Sequence, residues 1–227
     1  MKFSIVIPVY NEAKSLPLLY PALKKIMDGM RQPYELIFVN DGSSDGTADF
    51  LRFASRCDSA LLTVELEKNQ GQSAALQAGF DRAQGEYIIT LDGDFQNDPA
   101  DIPRLWEKLN EGYGLVCGWR GKRADPLGKC LEANIAGICR RLITREKIHD
   151  FGCGLRIFPK ELLGKIRLSS GLHRFFALLA LRAGYKVAEL KVSTSPRKFG
   201  KSRYKALARL PQCLKDFALI LSGQISG

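Results

Sequence analysis

Between residues 3 and 118, short apolar runs rich in β-branched residues alternate with longer stretches of helical period. That alternation constrains the fold more than any other feature of the chain. The runs at 3–9, 34–39, 61–65, 87–91 and 115–118 read as strands. The stretches at about 15–30, 47–55, 73–83 and 102–110 read as the helices between them. A strand followed by a helix and another strand returns in the same direction, so the sheet should be mostly parallel with helices on both faces. The expected fold class is therefore α/β, and the 227 residues with 45% hydrophobic content suffice for one core.

The second half is less regular. Residues 121–128 form a charged Gly/Pro loop, 129–143 a helix, 154–158 a short strand, 170–183 a helix with Ser170 near its N-cap, and 186–192 another strand. Residues 195–204 read as a polar, basic loop. A last helix is expected over about 204–221, with Leu207, Leu210, Leu214, Phe217 and Leu221 on one face and Lys205, Arg209 and Lys215 beside it. Pro211 would kink it. No run approaches the roughly 20 apolar residues needed to span a bilayer, and the longest, 175–181, is far shorter. None of the six cysteines forms a C-x-x-C pair, so neither a zinc site nor a redox motif is indicated and buried, reduced thiols are expected.

The strongest chemical signal is Tyr87-Ile88-Ile89-Thr90-Leu91-Asp92-Gly93-Asp94. A buried strand ends in two acids spaced i, i+2, and open parallel sheets bind ligands at the carboxyl ends of their strands. Two carboxylates with few other ligands suit a hard divalent cation, Mg²⁺ or Mn²⁺, that completes its shell with water and a diphosphate. On its own the same tripeptide is an ordinary acidic turn. Ile7-Pro8-Val9-Tyr10-Asn11-Glu12 ends the first strand, and Pro8 and Tyr10 could pack against a flat base. Asp41-Gly42-Ser43-Ser44-Asp45-Gly46-Thr47 ends the second and offers acceptors to a base or ribose, although it reads equally well as a helix-capping turn.

Taken in order, these segments, with Asn69-Gln70-Gly71-Gln72-Ser73-Ala74-Ala75 and Asp92-Gly93-Asp94-Phe95-Gln96-Asn97-Asp98-Pro99, resemble the inverting family 2 glycosyltransferases of GT-A fold. In the second half, Asp150-Phe151-Gly152-Cys153-Gly154-Leu155-Arg156, His173-Arg174-Phe175 and Pro196-Arg197-Lys198-Phe199-Gly200-Lys201-Ser202-Arg203-Tyr204 resemble the polyprenyl-phosphate sugar transferases. The resemblance covers nearly the whole chain. It implies one glycosyltransferase domain over 1–227, with a nucleotide-sugar half at 1–118 and an acceptor-side half at 119–227. It further implies that Pro8, Tyr10, Glu12, Asp41, Asp92 and Gln96 contact the nucleotide-sugar and that Asp92 and Asp94 flank the metal. Gly93 is a departure, since many members carry Ala there. The Gln-x-x-Arg-Trp motif of processive synthases is missing from the sequence, which argues against a polymerising enzyme.

The charge distribution fits that reading. Residues 1–113 carry 11 Lys/Arg against 17 Asp/Glu, whereas residues 114–227 carry 23 against 7. A donor diphosphate and an acceptor phosphate repel one another, and basic side chains beside a metal reduce that repulsion. Arg120, Arg123 and Arg203 are the expected acceptor-phosphate contacts, and Arg197 and Lys201 the expected catalytic clamps beside Asp94. A phosphate monoester is largely deprotonated at neutral pH, so little base catalysis is needed. Asp150 is the best candidate if a base or orienting carboxylate is used, and His173 is expected to be a structural hydrogen-bonding group instead. The expected reaction moves a sugar from a nucleotide-sugar to a polyprenyl phosphate, with a UDP-sugar favoured through 150–153 and GDP-mannose open. The alternatives are transfer to a soluble acceptor, or a non-catalytic nucleotide-sugar binder docked at a membrane. Nucleic acid is not an expected partner, for lack of a recognition helix or an aromatic-basic RNA signature. With no spanning helix, the protein would work from the cytoplasm, peripheral to the inner face of an anionic membrane, through the basic helix at 204–221. That helix equally reads as one that closes the domain's own core.

Overall fold

In this computed structural model, residues 1–121, 148–150, 152–168, 171–197 and 199 are described. The first half follows the expected alternation closely. Strand β1 (Phe3–Val9), helix α1 (Leu16–Gly29), β2 (Tyr34–Asp41), α2 (Thr47–Cys57), β3 (Leu61–Leu66), α3 (Gln72–Arg82), β4 (Tyr87–Thr90), α4 (Ile102–Leu109) and β5 (Leu115–Trp119) succeed one another. They are followed by β6 (Arg156–Pro159), helix α5 (Phe176–Arg182) and β7 (Val187–Lys191).

The seven strands form one sheet in the order β3-β2-β1-β4-β6-β5-β7. β1 pairs in parallel with β2 and β4, β2 with β3, and β5 with β7. Among the described strands only β6 is antiparallel, set between β4 and β5. The chain therefore steps outward from β1 to β3 and then crosses back to β4, on the other side of β1. The strand order reverses between β1 and β4, and a crevice at their carboxyl ends is the expected consequence.

Helices cover both faces because the central strands are apolar on both. Ile5, Ile7, Leu36, Phe38 and Ile89 pack with α1, α2 and α4. Val6, Ile37, Val39, Ile88 and Phe158 pack on the opposite face with α3 and α5. Both layers draw residues from the second half, so β5, β6 and β7 complete the sheet that the first half begins.

Two expected elements are corrected. The helix expected over 170–183 starts as a tight 3-10 turn at Leu172–Phe175 and becomes α-helical only at Phe176–Arg182. The Arg174 N–H reaches back to the Gly171 carbonyl at 3.3 Å, the shorter i→i+3 pattern. The strand expected over 154–158 starts two residues later, at Arg156, and the Gly154 carbonyl before it accepts the Thr90 hydroxyl. Arg123, Lys201, Arg203, Ser170 and the helices expected at 129–143 and 204–221 lie outside the described residues. No helix among the described residues is long and apolar enough to cross a membrane.

Candidate active site

The loops after β1, β2 and β4 meet at the crevice, and backbone-to-side-chain bonds lace them together. The Asn11 N–H donates to Ser43 Oγ (2.9 Å), the Ser44 N–H to Asn11 Oδ1 (2.7 Å) and the Glu12 N–H to Thr47 Oγ1 (2.9 Å). Thus the turn at 41–47 fixes the loop after β1, while its helix starts at a Gly46 N-cap that makes no side-chain cap bond. Asn11 and Phe95 both hold left-handed backbone, at φ 56° and 55°. Phe95, lying directly after the second acid, is costly in that conformation, and the cost marks the turn that aims Asp92 and Asp94 at the crevice.

Asp92 keeps a partly exposed edge and is otherwise enclosed. Gln72 Nε2, from the first turn of α3, donates to its Oδ1 at 2.8 Å. Gly154 lies against the carboxylate so closely that a Cβ there would overlap its oxygens and carbon. Burial, then the nearby Asp94 charge, push the Asp92 carboxyl up to about 6, against the pull of Arg156, Arg120 and the Gln72 amide. Gly93 is packed as tightly, since a Cβ would sit 2.6 Å from Val9 Cγ1. The Gly at this position is therefore matched to Val9, whose side chain would have to give way to an Ala.

Asp94 Oδ1 accepts the Gln96 N–H at 3.1 Å, and Asp94 Oδ2 takes Arg197 Nη2 at 3.0 Å. The same Nη2 lies 3.1 Å from Glu12 Oε1. Glu12 Oε2 accepts the Ser15 hydroxyl at 2.7 Å. Burial raises the Glu12 carboxyl above its ordinary value, with Ser15 and Arg197 opposing. Four of the expected residues, Glu12, Asp92, Asp94 and Arg197, are thus brought to one place, with Gln96 beside them. Pro8 and Tyr10, both partly exposed, lie at the end of β1 on the rim of the same crevice.

Asp41 is put to a specific use. It is 4% exposed, and its two oxygens accept the Gln70 and Gly71 N–H groups at 2.7 and 2.9 Å. It braces the loop that leads into α3 and so, through Gln72, the Asp92 carboxylate.

On the other side of the crevice, Arg120 grips Asp150 with two bonds, Nε to Oδ2 at 2.6 Å and Nη2 to Oδ1 at 2.7 Å. The side chains are only 13% and 15% exposed. A carboxylate held through both oxygens by a guanidinium is a poor proton acceptor, so the geometry suits the orienting role of Asp150 over the basic one. His173 is buried, with Nδ1 2.7 Å from Ser73 Oγ, as a structural hydrogen-bonding group would be. Cys117 and Cys153 are buried, and burial pushes their thiols up to about 12 and 11, well away from reactivity; Cys57 is exposed.

Sequence reasoning left Gln72, Gly154 and Arg156 without roles. All three sit inside motifs that were already informative, but spacing alone does not reveal that α3 and β6 meet under the first acid. Arg156 is 6% exposed and stands opposite Thr90 across the β4–β6 pair, where its charge bears on Asp92.

The oxygen-only set of Asp92 and Asp94 fits a divalent cation of the Mg²⁺ or Mn²⁺ class. A guanidinium already drawn to Asp94 shows that the acids attract a cation. Among the described residues no group of three or more His, Cys, Asp or Glu forms a fuller metal cage. The apolar groove between α1 and α2, lined by Tyr20, Phe50 and Phe53, carries none of this chemistry.

Residues 4–167 match the model of the family described as Glycosyl transferase family 2. The chain belongs to that family. As a family 2 glycosyltransferase it is 36% identical over 222 residues to the undecaprenyl-phosphate 4-deoxy-4-formamido-L-arabinose transferase of Yersinia enterocolitica, covering 97% of this chain and 68% of that protein. It is 34% identical, with the same coverage, to the enzyme of that name from Salmonella choleraesuis. Among solved structures, glucosyl-3-phosphoglycerate synthase from Mycobacterium tuberculosis in complex with UDP superposes with a TM-score of 0.73 at 18% identity, covering 96% of this chain and 79% of that one. The same synthase with Mn²⁺ and UDP-glucose gives a TM-score of 0.71 at 18% identity, covering 96% and 78%. The architecture is thus that of the GT-A glycosyltransferases.

Proposed function

We propose that this glycosyltransferase moves a sugar from a nucleotide-sugar, with a UDP-sugar favoured, to a polyprenyl phosphate, with inversion and with help from a divalent metal. One observation carries the reading. Asp92 and Asp94 stand at the carboxyl end of β4, beside the end of β1, with Glu12 and Arg197 closing on Asp94. The polyprenyl-phosphate acceptor is supported by the names of the relatives that match almost the whole chain.

Asp92 and Asp94 would hold Mg²⁺ or Mn²⁺, which would neutralise the departing nucleoside diphosphate. The crevice rim at Pro8 and Tyr10 and the wall braced by Asp41 would receive the nucleotide. Arg197, Gln96 and Glu12 lie where the diphosphate has to pass. The bond from the anomeric carbon to the diphosphate breaks as a bond to an acceptor phosphate oxygen forms on the opposite face. That oxygen carries its charge already, so no protein base has to take a proton. Arg120, oriented by Asp150, would face the acceptor phosphate, with Arg123, Lys201 and Arg203 as further expected cations. A polyprenyl tail stays in lipid, which supports a peripheral position on an anionic membrane face.

The test is incubation with a panel of nucleotide-sugars, Mn²⁺ or Mg²⁺, and undecaprenyl phosphate in anionic liposomes, with products identified by mass. A lipid-phosphate sugar from one donor is the expected result. Transfer only to soluble phosphorylated acceptors would overturn the acceptor assignment, and donor binding without transfer to anything would overturn the enzyme reading.

A further inference from the structure

Arg197 makes contacts that a plain phosphate clamp does not require. Its Nη2 is shared between Asp94 Oδ2 at 3.0 Å and Glu12 Oε1 at 3.1 Å. The backbone around it is fastened to the acid loop as well. The Ser195 N–H donates to the Gln96 carbonyl at 2.9 Å, Thr194 bridges Asn97, and the Ser193 N–H donates to Asp101 Oδ2 at 2.6 Å. With its amide oriented to give both ends a partner, Gln96 donates to Asp94 Oδ2 at 3.1 Å and accepts the Arg197 N–H at 3.2 Å. Segment 193–197 is thus latched along segment 94–101, and the guanidinium closes the latch on the two acids.

This arrangement sets up a competition. An Asp94 oxygen that holds a guanidinium cannot also give its charge fully to a divalent cation, because the two cations would then repel at close range. Arg197 has to loosen from Asp94 when a metal-bound diphosphate docks. The diphosphate brings its own oxygens, which a guanidinium fork binds at least as well as carboxylates. Held by two carboxylates, Arg197 leaves the donor diphosphate uncompensated; moved onto phosphate oxygens, it cancels part of that charge and lowers the repulsion a second phosphate meets.

We propose that Arg197 exchanges Glu12 and Asp94 for phosphate oxygens as the donor docks, and that this exchange makes binding of the acceptor phosphate conditional on the donor. The inference rests on the metal-dependent transfer to a polyprenyl phosphate proposed above. It gives Arg197 a second task, setting the order of binding, besides its clamp role.

The test measures two affinities on the wild-type protein and on Arg197→Gln. Mn²⁺ binding is read by electron paramagnetic resonance, and binding of farnesyl phosphate by calorimetry with and without Mn²⁺ and UDP. Arg197 is 26% exposed, so the variant should fold, which a thermal melt checks. Mn²⁺ alone should bind the variant about tenfold tighter, the worth of one charge-assisted contact no longer displaced. Farnesyl phosphate should bind the wild type about tenfold tighter once Mn²⁺ and UDP are present, and that coupling should vanish in the variant. Unchanged or weaker Mn²⁺ binding in Arg197→Gln, or a coupling that survives the substitution, would overturn the exchange. A wild-type protein that binds Mn²⁺ and UDP normally but shows no coupling would also overturn it and leave the proposed function standing. Failure of the wild type to bind Mn²⁺ or UDP at all would remove the proposed function itself.

Discussion

The two sides of the crevice hold their acids by different means. On the side proposed for the donor, the acids of the crevice loops take neutral partners. Asp41 is held by the Gln70 and Gly71 N–H groups, Asp45 by the Ala13 and Thr47 N–H groups, and Asp92 by the Gln72 amide. On the acceptor side Asp150 is held by the Arg120 guanidinium. Neutral donors fix a carboxylate and leave its charge in place, whereas an ion pair fixes it by cancelling the charge. The loops around Asp92 therefore keep a negative potential ready for a cation. Across the crevice, Asp150 is fixed by an ion pair that also orients Arg120. Arg197 is the exception that crosses between them.

Removing charge on the donor side should give the largest effect. Asp94→Asn should lower transfer by about a thousandfold or more, because a lost metal contact is worth several kcal/mol in the transition state, with no loss in melting temperature. Excess chelator should do the same to the wild type, and full activity in chelator would sink the metal assignment.

Removing charge on the acceptor side should act on the fold first. Asp150→Ala leaves a largely enclosed Arg120 without its counter-charge and should destabilise by about 3 kcal/mol, measured by urea unfolding. Asp150→Asn keeps the shape and one acceptor, so it should fold better and retain a rate within about tenfold of wild type. A loss of roughly 100- to 10,000-fold in Asp150→Asn, the size expected when a general base is removed, would restore Asp150 as a base.

The donor side should also show that charge is kept there at a cost. Asp92 has a folded-state carboxyl near 6 against an ordinary 3.8. Between those values the folded protein binds the proton better than the unfolded chain, so this group adds stability as the pH falls. Above about pH 6 the ionised form opposes folding. That rise corresponds to at most about 2–3 kcal/mol, less where the edge of the carboxylate meets water. Asp92→Asn should therefore melt higher than wild type at pH 7.5 in metal-free buffer, and the gap should close by pH 4, while transfer is lost. Equal melting temperatures at pH 7.5 would show that Asp92 carries no such strain.

Much of this was legible in the sequence. The strands of the first half announce themselves because parallel central strands are apolar on both faces, and Phe3–Val9 was bounded correctly on that signal alone. Glu12, Asp92, Asp94 and Arg197 could be named from motif order, and the structure brings them together across a separation of up to 185 residues. What the sequence could not supply was the partner of each group. Asp41 looks the same on paper whether it faces a nucleotide or two backbone amides. Arg120 and Asp150 were assigned separate tasks, and only the fold makes them one ion pair. The direction of β6 was equally hidden, since a four-residue strand carries no sign of which way it pairs.

The smallest effect should come from the neutral support itself. Gln72 holds Asp92 Oδ1 without cancelling its charge, so Gln72→Leu removes one hydrogen bond to a charged group, worth about 1.5 kcal/mol. Without that bond the ionised form of Asp92 is less favoured and its rotamer less fixed, both of which weaken a metal site. The concentration of Mn²⁺ needed for half-maximal rate should rise about tenfold, while the rate at saturating Mn²⁺ stays near wild type, because the ion itself then holds the carboxylate. A merely structural Gln72 would lower the melting temperature and leave the Mn²⁺ requirement alone. Gln72→Glu sharpens the distinction: it keeps the size of the side chain but sets a third negative charge beside Asp92, so it should bind Mn²⁺ no worse than wild type while raising the pH at which Asp92 ionises. A Gln72→Leu protein with an unchanged Mn²⁺ requirement would mean that Gly154 and the surrounding backbone hold Asp92 by packing alone, and the contrast between neutral support on one side and ionic support on the other would then fail at its most direct point.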